Sequence, residues 1–317
     1  MKASLKSLFR TTAFMSLLLV MLLGASHLFL PKDNAHASTV DQLSANGILG
    51  EPSDSIDVLI VGDSESYSSF IPMQMWKTHG FTSYVCGTAA QPLYDSYRFM
   101  EQAFETQSPS VVVLETNAIF REKHAGSYVS SIIQSKLSLF RNHNRWKSMT
   151  VSDLYRPVDY TWTNDYKGYI YINETNPAST LGYMSPTDRM ENIPELNYLC
   201  LMKMLELCQA NNARLILVST PSTVNWNYAR HNTIEAFAQD NDLTYLDMNL
   251  NYQEIGINWD KDTRDMGDHL NHRGAEKVSA YFGDYLQSLF TLPDHRDSSD
   301  YRSWNDAYQR YSKAVMA

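Results

Sequence analysis

The run Val58-Leu-Ile-Val-Gly62 constrains this chain more than any other stretch, because it is apolar without a break and then stops at Asp63-Ser64. A strand covered on one face alternates apolar and polar residues, whereas a continuous run, three of whose residues are β-branched, reads as a strand buried on both faces. Such strands belong to parallel sheets enclosed by helices, and in open sheets of that kind ligands bind beyond the carboxyl ends of the strands. Ser64 is therefore placed where chemistry is expected.

The pattern recurs along the chain. Thr82–Cys86, Pro109–Leu114, Arg214–Thr220 and Leu243–Asp247 read as four more strands. Segments of helical period lie between them at Tyr67–His79, closed by Gly80, and at Pro92–Thr106, Ile193–Asn211 and Ile234–Gln239, and a last helix runs from Val278 to Phe290. Strands alternating with helices require parallel pairing and right-handed crossovers, so the expected fold is a three-layer α/β/α sandwich around a five-stranded parallel sheet. At 317 residues and 44% hydrophobic content the chain can bury a full core. Its 26 basic and 35 acidic residues leave a net charge of -9, with no basic run beyond the N-terminus to follow a phosphate backbone, which argues against nucleic acid as a partner. Cys200 and Cys208 lie eight apart on an expected helix, about 12 Å of rise, too far to bridge. With Cys86 they are expected as free thiols. No zinc-type spacing, phosphate loop or repeat is present, and no cofactor or metal is expected.

The N-terminus carries Lys2, Lys6 and Arg10, then an uncharged, mostly apolar stretch from Thr11 to Leu30. About 20 such residues can span a bilayer, and the basic flank keeps that end cytoplasmic, so the body of the chain is expected outside the cytoplasm. Residues 1–37 read either as a retained membrane anchor or as a signal peptide cleaved after Ala37, where Ala35-His-Ala37 suits a signal peptidase. Residues 38–54 read as a polar tether, and 55–317 as one domain with an insertion at about 121–190. The insertion is rich in Tyr, Trp, Asn and Thr and is expected to hold a helix near Val129–Phe140, followed by irregular or hairpin structure.

Ser64 needs a base, and a histidine oriented by a carboxylate is the usual one. His269 lies in a late loop with Asp265 and Asp268 beside it. Acyl transfer also needs donors for a tetrahedral oxyanion, and the backbone N–H groups of Ser64 and Gly87 and the amide of Asn117 all fall at expected strand ends. The loops after the third and fourth strands place Arg121, His124 and Trp226 at the rim as candidate substrate contacts, Trp226 as a surface for stacking on a sugar.

In these segments the chain resembles the SGNH/GDSL hydrolases. Gly62-Asp-Ser64 matches their first block, Gly87 the glycine of the second, Asn117 the asparagine of the third, and His269-Leu-Asn-His-Arg-Gly274 the last. The resemblance implies a flavodoxin-like α/β/α fold with Ser64 as nucleophile, His269 as general base, and Ser64, Gly87 and Asn117 forming the oxyanion hole. It is closest in kind to membrane-anchored, extracytoplasmic members that transfer or hydrolyse acyl groups on cell-envelope or exported polysaccharides, often beside a membrane-bound O-acyltransferase. That implies a glycan or another O-acylated substrate. Two positions depart from the pattern. The third block reads Glu115-Thr-Asn117-Ala118 where Gly-x-Asn-Asp is usual, and Met266 stands three residues before His269 where an aspartate is usual, leaving Asp265 or Asp268 as the supporting carboxylate. A different class of function keeps the same fold without catalysis, as an envelope protein that binds a glycan or an acyltransferase partner.

Overall fold

Five apolar runs become five short strands: β1 (Val58–Gly62), β2 (Ser83–Gly87), β3 (Val111–Glu115), β4 (Arg214–Ser219) and β5 (Thr244–Asp247). They form one sheet in the order β2-β1-β3-β4-β5, with every pair parallel. Because side chains alternate along a strand, Val58, Ile60, Val111, Val113, Ile216 and Val218 share one face, packed with Phe70, Met75, Val278, Phe282 and Leu286 from helices Pro72–His79 and His272–Leu289 and the turn before them. The alternate residues Leu59, Val61, Val112, Leu114 and Leu217 are equally buried, on the face covered by helices Leu93–Ala103 and Glu195–Ala210. From β1 the chain moves outward to β2 and then returns across β1 to β3. Strand order reverses between β1 and β3, and the crevice of such a sheet opens there.

The computed structural model describes residues 2–37, 39–122 and 125–316, and it divides into two units, Met1–Asn34 with Lys123–Tyr160 and Ala35–Glu122 with Thr161–Ala317. The second unit contains the sheet. Where one helix was expected over Tyr67–His79 there are two, Ser64–Ser69 and Pro72–His79, because Pro72 lacks an N–H and serves as the first residue of a new helix; Gly80 closes it at φ 82°. Residues 40–50, expected as tether, form a helix and a 3-10 turn against β2. That contact is made by small residues and main chain, with Ser44 and Ala45 buried and Tyr84 Oη donating to the Ser44 carbonyl at 2.8 Å, so it leaves no hydrophobic period to read. Cys86, Cys200 and Cys208 are free and buried, and burial pushes the Cys200 and Cys208 thiols up to about 12.

No hairpin follows the insertion helix among the described residues. Instead residues 161–194 cross the second unit as a strap without helix or strand. Its main chain replaces secondary structure with long-range bonds: Val85 N donates to Lys167 O at 2.9 Å, Ile170 N to Tyr67 O at 3.1 Å, and His272 N to Ile172 O at 2.8 Å. The first of these covers the open side of β2, an edge strand that would otherwise present unpaired groups. Lys167 is itself buried, 2.6 Å from the buried Glu51 carboxylate and 4.5 Å from the centre of the Trp304 ring.

The first unit is built on the helix Lys2–Phe29, of which Leu5–Phe29 is long and apolar enough to cross a membrane, with mean hydropathy 1.9 over 25 residues and 6% of its most apolar window buried. Anchors and signal sequences share these properties. The rest of the unit comprises the helices Ala125–Lys136 and Ser138–Arg141 and two 3-10 turns, where one helix was expected near Val129–Phe140. Arg145 donates to the carbonyls of Leu28 and Leu30 at 3.2 and 3.0 Å and pairs with Asp153.

Burial raises the Glu51 carboxyl above its ordinary value even with the Lys167 ammonium beside it. Lys167→Met therefore strands a buried charge, and denaturant unfolding at neutral pH should show a loss of about 3–5 kcal/mol, smaller at low pH where Glu51 takes a proton. The pair Lys167→Met/Glu51→Leu should recover most of it; an equal loss in the double variant would locate the cost in packing rather than in the stranded charge.

Candidate active site

The end of β1 turns sharply because Asp63 caps the helix that begins at Ser64. Its carboxylate accepts from Glu65 N at 3.0 Å, and the cap leaves Ser64 as the first helical residue, past the sheet edge. Ser64 Oγ lies 2.7 Å from His269 Nε2. The imidazole's other nitrogen, Nδ1, lies 2.6 Å from Asp265 Oδ2, and the second oxygen of Asp265 accepts from His269 N at 2.6 Å. Arg264 Nε stands 3.7 Å from Asp265 and its Nη2 donates to Ser68 Oγ at 2.8 Å, which ties the carboxylate to the helix that begins at Ser64.

The choice between the two aspartates is made by backbone conformation. Met266 and Gly267 both have positive φ, 60° and 98°, so the loop takes up the extra residue between Asp265 and His269 and folds the Asp265 carboxylate back under the ring. The turn is fixed from outside: Gly267 N donates to Thr263 Oγ1 at 2.8 Å, and Ser222 Oγ donates to the Asp268 carbonyl at 2.8 Å. Asp268 Oδ2 stays 3.7 Å from His269 Nδ1 and its Oδ1 is taken by the Asn225 amide. Asn271 caps the helix His272–Leu289, accepting from Gly274 N at 3.2 Å, so the rest of the last motif serves to start that helix.

Asn117 stands just past β3, on the other side of the switch point. Its Nδ2 donates to Asp63 Oδ2 at 2.9 Å and its Oδ1 accepts from Arg230 Nη1 at 3.2 Å. Gly87 ends β2 in register with Gly62, and a Cβ there would meet Ser66 Oγ at 2.3 Å and the Asp63 carbonyl oxygen at 2.9 Å, so only glycine lets the helix that begins at Ser64 approach. Arg121 Nη2 donates to the same Asp63 oxygen at 2.7 Å, with its side chain about one-third exposed. Trp226 is corrected: it is 4% exposed, its ring packs edge-on to Phe120, and its N–H donates to Asp247 at 3.0 Å, so it is a packing residue and offers no face to a sugar. His124 lies outside the described residues.

Sequence reasoning passed over a group of acids beneath the serine. Glu65 and Glu115 are both buried, and burial first, then neighbouring carboxylates, pushes each well above the ordinary range. Glu65 Oε1 accepts from Asn225 Nδ2 at 2.7 Å while its Oε2 has no hydrogen-bond partner among the described residues; Glu115 Oε2 accepts from Asn117 N at 3.1 Å. Two acids in otherwise apolar or small-residue strand ends were the available signal. Glu65, Asp268 and His269 bring donor atoms within 4.8 Å of one another, the spacing of a cation site, but His269 and Asp268 are already engaged with Ser64, Asp265 and Asn225.

No protein-family model matches the chain, and no curated protein matches it. It is similar to solved structures of a GDSL-like lipase from Bacteroides thetaiotaomicron (15% identity, 74% of this chain and 88% of that one, TM-score 0.37) and a lipase/acylhydrolase from Enterococcus faecalis (9%, 75% and 99%, TM-score 0.40). A third is an acetyl xylan esterase (17%, 74% and 100%, TM-score 0.38). At this level of likeness, what the site does has to be read from its own atoms.

The two buried acids give stability a pH dependence of known sign. Folded Glu65 and Glu115 keep protons that the unfolded chain releases near its ordinary value of 4.5, so the folded state binds more protons and stability falls as pH rises from there towards the raised values. Glu65→Gln keeps an acceptor for Asn225 and removes the charge. Its melting temperature should fall less steeply with pH than that of the parent chain, and parallel curves would mean that Glu65 carries no such burden.

Proposed function

We propose that this protein is an exported serine enzyme that takes an acyl group from an ester onto Ser64 and passes it to water or a sugar hydroxyl on an envelope or secreted polysaccharide. The observation that carries this reading is the unbroken chain from Ser64 Oγ through His269 to Asp265, 2.7 and 2.6 Å long, at the open end of the sheet. Its completeness favours catalysis over a glycan-binding role.

The chemistry follows from the geometry. His269 Nε2 takes the Ser64 proton as Oγ attacks the ester carbonyl, and Asp265 holds the ring so that Nδ1 carries its proton and the imidazolium is stabilised. The carbonyl oxygen becomes an oxyanion, for which Ser64 N–H, Gly87 N–H and the free Nδ2 proton of Asn117 are the donors. His269 then protonates the leaving alcohol, and an acyl-serine remains. In the second half-reaction the acceptor hydroxyl gives its proton to His269 as it attacks the acyl carbon, and His269 returns a proton to Ser64 Oγ as the acyl–Oγ bond breaks; with water the product is an acid, with a sugar hydroxyl a new ester. A polysaccharide substrate and an extracytoplasmic site of action are supported by the apolar helix Leu5–Phe29 and by the resemblance of the motifs to envelope acyl-transfer enzymes. A membrane-bound O-acyltransferase is the partner that would supply such an acyl donor.

Treating the detergent-purified full chain with a fluorophosphonate probe should label it covalently, and Ser64→Ala and His269→Ala should not label; label retained in Ser64→Ala would end the enzyme reading. p-Nitrophenyl acetate turnover that is slow alone and accelerated by added glycan would identify transfer, and fast turnover indifferent to glycan would identify hydrolysis. Of the two aspartates, Asp265→Asn should lower kcat by roughly 100-fold or more, since it removes the acceptor that fixes the His269 tautomer. Asp268→Asn should lower it less than about tenfold, in keeping with a single weakened contact.

A further inference from the structure

We infer that Arg230 is the positioning residue of the oxyanion site, holding the Asn117 amide so that its N–H side faces the reacting carbonyl; this rests on the reading of Ser64 as nucleophile and Asn117 as oxyanion donor. A carboxamide is nearly symmetric in shape, and flipping it replaces a donor by an acceptor. At Asn117 the two sides have partners that work in one sense only. Arg230 Nη1 can only donate, and it meets Oδ1 at 3.2 Å; the Asp63 carboxylate is satisfied by donors, and it meets Nδ2 at 2.9 Å. One Nδ2 proton is committed to Asp63, which leaves the other for the oxyanion. The Asp63 carboxylate, by accepting one N–H, leaves electron density on the nitrogen and weakens the other as a donor, whereas the guanidinium at Oδ1 withdraws density from the nitrogen and strengthens it.

Arg230 is itself immobilised for this task. Nε donates to both oxygens of Glu191 at 3.1 Å and Nη2 to Oε1 at 2.9 Å, while Nη1 also donates to the Asn225 carbonyl at 2.7 Å and the guanidinium lies 4.8 Å from the centre of the Phe120 ring. Its position runs against the local rules. It sits in the first turn of helix Tyr228–Asp240, whose N-terminal dipole disfavours a cation and which carries no acid in that turn. Glu191, brought by the strap, offsets the misplaced charge. A residue set against its own helix and compensated from 39 positions away in sequence is the kind of local conflict that marks a working site.

The test is a mutant cycle on the full chain, reading kcat and KM for p-nitrophenyl acetate in Arg230→Met, Arg230→Lys, Asn117→Ala and Arg230→Met/Asn117→Ala. Loss of an oxyanion donor in Asn117→Ala should cost about 100-fold or more in kcat. Arg230→Met should cost about tenfold in kcat at unchanged KM, the scale of one charge-assisted hydrogen bond, and Arg230→Lys should recover part of it. In the Asn117→Ala background Arg230→Met should cost nothing further. An equal cost in that background, or a change confined to KM, would overturn the assignment, because a structural arginine would act with or without Asn117. If Arg230→Met does not fold, Arg230→Gln is read in the same cycle. Full activity in Arg230→Met and Asn117→Ala beside a dead Ser64→Ala would sink this inference alone, whereas an active Ser64→Ala would sink the enzyme reading beneath it.

Discussion

The arrangement hangs on a carboxylate with no solvent exposure. Asp63 receives Glu65 N on one oxygen and both Asn117 Nδ2 and Arg121 Nη2 on the other. A buried charge is tolerated only when its lone pairs are filled, and here they are filled by the first turn of the Ser64 helix, by the Asn117 amide and by Arg121. The cap fixes where the Ser64 helix begins, and the same carboxylate draws the end of β3 towards the end of β1. Removing it would leave Glu65 N, Asn117 Nδ2 and Arg121 Nη2 without this acceptor at once.

Much of the fold was legible because its cause is local. Each strand is a short apolar run with a turn residue behind it, and a chain that alternates such runs with helical period has few ways to pack. Ser64, His269 and Asn117 were reachable for the same reason, since each stands at an element's end where topology fixes direction. What stayed hidden depends on partners far away in sequence or on backbone conformation that composition does not encode. Choosing Asp265 over Asp268 requires knowing that Met266 and Gly267 both take positive φ. Trp226 reads as a rim aromatic until Phe120 and Asp247 are found packed on it. The strap carries no periodicity, because its order comes from hydrogen bonds to Val85, Tyr67 and His272 and from the buried Lys167–Glu51 pair.

The electrostatics of the site then become intelligible as one balance. Asp63, Glu65, Glu115, Asp265 and Asp268 lie around a serine proposed to generate an oxyanion, and five ionised carboxylates there would oppose the developing charge. Three arginines stand against them: Arg121 on Asp63, Arg264 beside Asp265, and Arg230, whose charge is shared between Glu191 and the Asn117 amide. Burial deals with two more, since Glu65 and Glu115 are driven towards their neutral forms. Among the described residues no lysine or arginine pairs with Asp268, which is held by the Asn225 amide and lies 3.7 Å from His269 Nδ1. The upward shift of Glu65 and Glu115 favours their neutral forms, which would lower the negative charge facing an oxyanion at Ser64. The same dry surroundings that favour protonation of these two acids would strengthen each hydrogen bond offered to the proposed oxyanion.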